Sequence, residues 1–257
     1  MPPPVAIPPA KVLTVAPHIP VARVALGLTL YLAEPVIWAR ERAAAFFDAF
    51  RARAFRGASG WYTTSQLADW FRLDGNRLDE ISRGLSRFLG RPRNLLQVRV
   101  VDHTGAPALS FNYREIDPRL TQRAATLEVA IPPDSDPALL LDLAAEAATL
   151  GPLLCGVGGF VASWNPHEKP TAFWEIHAWC KRYLGLDVQD ADAMAFCVLE
   201  GLPGSNWLTL VGPALADRLK LDLRALEAGP WGAGIEPRML PHALLLRAGD
   251  APTLGDL

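Results

Sequence analysis

Between Arg23 and Leu32 the large aliphatic residues Val24, Leu26, Leu28, Leu30 and Leu32 alternate with Ala25, Gly27, Thr29 and Tyr31. Successive side chains of a strand point to opposite faces, so this period of two predicts a strand with one face firmly buried. Glu34-Pro35 then opens a helix, because proline is tolerated in a first turn and glutamate suits the positive end of the helix dipole. That helix runs to about Arg53, with Val36, Ile37, Ala44, Phe47 and Phe50 near one face and Arg40, Arg42, Arg51 and Arg53 largely opposite.

The spacing then predicts a turn over 57–60, a short strand over 60–64 and a helix over 76–88 that ends near Gly90 and Pro92. Three short runs rich in Val, Leu, Phe and Tyr, at 95–102, 108–116 and 124–131, are separated by turn residues and read as an antiparallel meander. Asp136-Pro137 caps a helix through Leu150, with Leu139, Leu140, Leu143, Ala147 and Leu150 as its apolar stripe. The glycine-rich run 153–164 is a buried strand where backbones approach closely. Thr171 caps a helix to Leu184, with Phe173, Ile176, Cys180 and Tyr183 at core spacing. Helices over 191–199, 213–220 and 223–228 precede a final strand over 242–248.

Consecutive strands outnumber strand–helix–strand crossovers. The expected fold is therefore α+β, a largely antiparallel mixed sheet packed against several helices. Prolines at 2, 3, 4, 8, 9, 17 and 20 deny the backbone its donors, which makes residues 1–21 an extended arm ahead of a single α+β domain over 22–257.

Composition adds class rather than chemistry. Half of the 257 residues are hydrophobic, enough for a substantial core. The apolar runs stop well short of the roughly 20 residues a membrane span needs. Met1-Pro2-Pro3-Pro4 has neither the positive start nor the apolar run of a secretory leader, so a soluble, cytoplasmic protein with no membrane partner is expected. Cys155, Cys180 and Cys197 are odd in number and set among apolar neighbours, which predicts buried thiols and no disulfide framework. Charge is uneven: residues 34–99 carry twelve basic and seven acidic side chains, residues 100–257 eleven and twenty. The basic stretch, with Trp61, Tyr62, Trp70 and Phe71 nearby, suits a nucleic-acid surface, an alternative that the net charge of −2 disfavours.

No motif announces a reaction. Gly156-Val157-Gly158-Gly159 has Val161 where a third glycine would stand, and no Gly-Lys-Ser/Thr occurs, so the phosphate cradle is incomplete. His167-Glu168 is followed by Lys169-Pro170, which breaks the turn that a zinc-hydrolase helix needs. His177 and Cys180 lie one helical turn apart without further ligands from a local motif, although His103 or His242 could arrive through the fold. Ser59, Ser163 and Ser205 lack an activating neighbour, and Glu175 and Glu200 read as surface or capping groups. No catalytic residue, metal ligand or cofactor is assigned.

Two C-terminal segments carry more specific information. Asn206-Trp207-Leu208-Thr209 and the ending with Ala248-Gly249, Pro252 and Gly255-Asp256 resemble the immunity family of the type VI secretion system, as does Tyr183-Leu184-Gly185-Leu186-Asp187-Val188. The chain departs from that pattern at Leu219-Lys220-Leu221, where a Gly-Gly turn is common, and it ends at Leu257 before an expected further tail. The resemblance implies a cytoplasmic, non-catalytic protein that binds and blocks a cognate toxin effector, in this family often a nuclease of the restriction-endonuclease type. An acidic C-terminal part suits the basic cleft of such a toxin.

The matching residues Asn206, Trp207, Leu208, Thr209, Ala248, Gly249, Pro252, Gly255 and Asp256 read as core and turn builders. The toxin-binding candidates are exposed acids and an aromatic on expected loops, namely Trp164, Glu168, Asp187, Asp190 and Asp192. An enzyme with a cleft of convergent polar groups, or a nucleic-acid module built on 34–99, remain the alternatives.

Overall fold

The computed structural model describes residues 6–12, 19–33, 40–55, 60–64, 69–87, 97–115, 123–188 and 190–255. In chain order its elements are β1 (Lys11–Val12), β2 (Pro20–Leu32), α1 (Arg40–Ala54), β3 (Trp61–Thr64), β4 (Phe71–Arg72), α2 (Gly75–Arg87), β5 (Gln97–Val101), β6 (Ser110–Arg114) and β7 (Ala125–Ile131). They continue with α3 (Pro137–Ala147), β8 (Leu153–Trp164), α4 (Lys169–Arg182), β9 (Leu186–Val188), α5 (Ala191–Met194), β10 (Leu208–Val211), α6 (Pro213–Leu219), α7 (Leu223–Glu227), β11 (Ile235–Leu240) and β12 (Ala243–Ala248).

All these strands join one sheet in the order β11-β12-β10-β8-β2-β7-β6-β5-β3-β4, with β1 beside β2 and β9 beside β8. The β8–β9 pair is parallel and the other pairs are antiparallel. The fold is α+β with a largely antiparallel sheet, as the pattern predicted.

The alternation in β2 decides where the main core lies. Leu26, Leu28, Leu30 and Leu32 face Phe46, Phe47 and Phe50 of α1, Ile81 and Leu85 of α2, and Leu140, Leu143 and Ala147 of α3. Phe111 of β6 sits edge-on to Phe47, with ring centroids 4.9 Å apart. The opposite face at Tyr31 and Cys155 is closed by Ala191, Val198 and Leu215. A separate cluster joins Val21 and Val24 to Ile176, Trp179 and Tyr183 around α4. The glycine run of β8 serves close packing: a Cβ on Gly156 would lie 2.4 Å from Leu30 Cδ2, and one on Gly159 2.3 Å from Asn206 Oδ1.

The structure departs from the sequence pattern in several places. The first helix is described from Arg40, and its expected opening at Glu34-Pro35 lies outside the described residues. Part of the proline-rich arm enters the sheet, since Lys11–Val12 pairs with β2 and β2 itself begins at Pro20. Thr171 is not a cap, because a 3-10 turn at Pro166–Glu168 runs directly into α4 and places the boundary at Glu168. The helix expected over 191–199 breaks after Met194, where the Ala195 carbonyl accepts the Ala124 amide at 2.9 Å. Cys197 is exposed, since the 3-10 turn it opens points Val198 inward; Cys155 is buried and Cys180 half-buried.

Candidate functional site

Strands β5, β6 and β7 alternate like β2, so the residues between their core positions share the second face of the sheet. On that face Arg99 is the register partner of Asn112, Asn112 of Glu128, and Glu128 of Thr29. A transverse polar row therefore crosses strands whose other face is Val98, Val100, Phe111, Tyr113, Leu127 and Val129. Gln97, Arg99, Ser110, Asn112 and Glu128 form the sheet side of a cleft of about 270 Å3. Its other walls come from Ser163 and Trp164 at the end of β8, Lys169 at the start of α4, and Asp190 and Asp192 around α5.

Glu128 is almost wholly buried, and Asn112 Nδ2 donates to its carboxylate at 2.5 Å. Burial pushes this carboxyl up to about 7; the Asn112 hydrogen bond and the Arg99 charge oppose that rise, and Asp192 reinforces it. Burial likewise lowers Arg99, although Glu128 and Asp192 favour its charged form. The guanidinium lies over the Trp70 ring, 5.4 Å from its centroid. Among the described residues it has no hydrogen bond and no ion pair, and its Nε is buried without a partner. Tyr31, two residues beyond Thr29 in β2, is raised first by burial and then by the Glu128 charge, so its phenol stays neutral.

The acidic wall is structured. Asp190 accepts the Ala193 amide at 3.2 Å and stands 3.9 Å from Lys169 Nζ, while Asp192 pairs with Arg114 and with Arg123 at 3.0 Å. The Lys169 ammonium lies 5.1 Å from the ring centroids of both Trp164 and Phe173, which meet edge-on. Trp174, the next residue of α4, is 79% exposed.

Three of the five toxin-binding candidates, Trp164, Asp190 and Asp192, thus meet at the cleft. Glu168 sits at the N-terminal boundary of α4, outside the lining, with no capping bond from its side chain. Asp187 lies on β9 beside Val161; burial raises its carboxyl, and the Val188 amide donates to it at 2.7 Å. Arg99, Asn112 and Glu128 were not singled out from the sequence. A signal was present: Glu128 is the lone acid in the apolar run 124–131, where a charge must find a partner or a cavity.

The resembling segments assemble elsewhere. Trp207 Nε1 donates to the Gly249 carbonyl at 3.2 Å, Asn206 Oδ1 accepts the Trp207 amide at 2.7 Å, and Leu208 and Thr209 are buried in β10. Ala248 ends β12, Gly249 and Gly255 adopt positive φ, and Pro252 is buried. The Gly185 amide donates to the Leu254 carbonyl at 2.6 Å, which ties the Tyr183–Val188 segment to the same turn. Asp256 lies outside the described residues.

In the basic stretch, Arg51, Arg53 and Arg77 pair with Asp48 and Asp79, Glu146 and Glu80, and Arg72 covers Trp61. Each of these four cations thus has a partner within the chain. Among the described residues no three His, Cys, Asp or Glu side chains gather as a metal-holding group, and no helix is long and apolar enough to cross a membrane.

No protein-family model and no curated protein matches the chain. Among solved structures it is similar to a chain described as Pseudomonas aeruginosa T6SS protein PA0821, with a TM-score of 0.73 and 19% identity over 95% of this chain and 70% of that one. At that identity the likeness is one of fold.

Proposed function

We propose that the chain is an immunity protein of the type VI secretion system, a cytoplasmic non-enzyme that binds a cognate toxin, a nuclease, and occludes its active site or substrate-binding surface. The observation that carries this reading is the fold similarity to a type VI secretion protein over 95% of the chain. The resembling C-terminal segments support it, because they are spent on packing and leave the cleft face free to serve recognition. The cleft brings together the Trp164–Phe173 pair and an acidic wall, a composition suited to a partner interface.

Co-expression with the product of the neighbouring gene tests the proposal. Rescue from toxicity with a stable co-purifying complex is expected, and absence of both sinks it. Glu168→Gln, Asp190→Asn and Asp192→Asn together should weaken the complex without unfolding the chain. Unchanged affinity in a folded triple variant would remove this face from the interface.

A second reading is favoured by one observation: a buried carboxyl raised to about 7 within a polar cleft has the poise of a general acid or base. The lining contains no His or Cys to share such chemistry. Glu128→Gln separates the readings, because an enzyme loses protection while its complex persists, whereas an occluding inhibitor keeps both.

A further inference from the structure

We infer that the cleft seats a single carboxylate on Arg99, supplied by an acidic side chain of the docked partner. The partner as source rests on the immunity reading above; the carboxylate site rests on the cleft itself.

Arg99 differs from Arg114 and Arg123, which both pair with Asp192 of the cleft wall. Arg51, Arg53, Arg77, Arg114, Arg123 and Arg247 each have a carboxylate within 4.0 Å. Arg99 has none among the described residues, although it is half-buried and lines the cleft. The Trp70 ring, with its centroid 5.4 Å from the guanidinium carbon, covers Arg99 without taking up its N–H donors. A planar fork of N–H donors matches a carboxylate with two parallel hydrogen bonds.

The acid of the same row does not meet that need. Glu128 is two register positions away, about 10 Å at the usual strand spacing, and Asn112 stands between them. The Asn112 amide nitrogen is committed to Glu128, while its Oδ1 is buried without a partner. One ligand carrying a carboxylate and an adjacent N–H would satisfy both Arg99 and Asn112 Oδ1. An acidic residue of a peptide chain has both groups.

Asp190 and Asp192 of the lining are already paired with Lys169 and with Arg114 and Arg123, and burial favours the neutral form of Glu128, which leaves Arg99 as the cation without an ion pair in the cleft among the described residues. A single carboxylate is matched by Arg99, whereas a phosphate dianion or a polyanionic strand brings excess charge. A space of about 270 Å3 takes one side chain and its backbone link, not a nucleic-acid duplex.

The test reads the arginine Nε–Hε resonances of the 15N-labelled full chain at constant ionic strength. The probes are N-acetylglutamate methylamide, its glutamine counterpart and inorganic phosphate. The glutamate probe should shift one resonance saturably, the one missing in Arg99→Met, and the other two should bind more weakly. No saturable shift, the same shift in a folded Arg99→Met chain, or tighter binding of phosphate overturns the site.

A second arm measures affinity for the neighbouring gene's toxin by calorimetry. Arg99→Met should lose about thirtyfold or more, and Arg99→Lys less, because a buried charge pair is broken in the first and kept in the second. A positive probe titration with unchanged toxin affinity would assign the site to a free small carboxylate and overturn the partner as its source. If wild type forms no toxin complex at all, the immunity reading fails with the partner source, and the probe titration still decides the site.

Discussion

Trp207 and Gly249, 42 residues apart, are joined where the indole Nε1 donates to the glycine carbonyl at 3.2 Å. The Ala248 amide returns a bond to the Trp207 carbonyl at 2.8 Å, so the start of β10 and the end of β12 are clipped from both sides. Trp207→Phe keeps most of the apolar burial but leaves the Gly249 carbonyl without its donor, and should cost about 1–2 kcal/mol. Trp207→Ala also opens a cavity and should cost about 3–5 kcal/mol. Urea denaturation measures both, and the folded Phe variant should bind its partner as wild type does.

Glu128 should make stability fall as pH rises. Its carboxyl titrates at about 7 when folded and near the ordinary 4.5 when unfolded, so folding takes up a proton between those values. The contribution is fully present at acid pH, declines through that window and is gone above it. Relative to Glu128→Gln, wild type should lose on the order of 2–3 kcal/mol between pH 5 and pH 8. Denaturation of both proteins at the two pH values checks the slope, and parallel curves would place Glu128 in a less buried setting.

Lys220 closes α6 in the left-handed conformation, with φ of 56°. A side chain there is strained where glycine is not, and this is the segment in which the resembling family favours glycines. Lys220→Gly should stabilise the fold by about 1 kcal/mol, read as a higher midpoint in thermal or chemical unfolding.

Three glycine-to-alanine changes should rank by what the new methyl meets. At Gly204 nothing lies within 4 Å, so little change beyond about 0.5 kcal/mol is expected. At Gly159 the Cβ would lie 2.3 Å from Asn206 Oδ1, displacing the acceptor of the Trp207 amide at a cost of about 1–3 kcal/mol. At Gly185 it would lie 2.0 Å from the Thr253 carbonyl, which is backbone and yields least. Thermal midpoints should fall in that order.

Much of the fold is legible from local pattern. The period of two in 24–32 places four leucines on one face of β2, and Asp136 caps α3 with its side chain accepting the Ala138 amide at 2.9 Å. Such features depend on neighbours a few residues away, which is why the chain alone predicts an α+β fold with an antiparallel meander. Strand β11 escaped that reading because it is a largely exposed edge strand with Pro237 in its middle, so it lacks apolar alternation. The break at Ala195 was equally silent, since its carbonyl is drawn off by Ala124, a residue distant in sequence.

The cleft belongs to the tertiary structure alone. Arg99, Asn112 and Glu128 come from three strands, and only the pairing register sets them side by side. A shift of one residue in either pairing would turn a strand's polar positions toward the aliphatic core. Asp190 and Asp192 join them because α5 packs against the second face, while Asp187 is held on β9 outside the lining. The sequence by itself determined the segments with a clear period or cap, such as β2, the β5–β7 meander and α3. Register and packing decided which polar groups share a cavity, because that depends on residues brought together from distant parts of the chain.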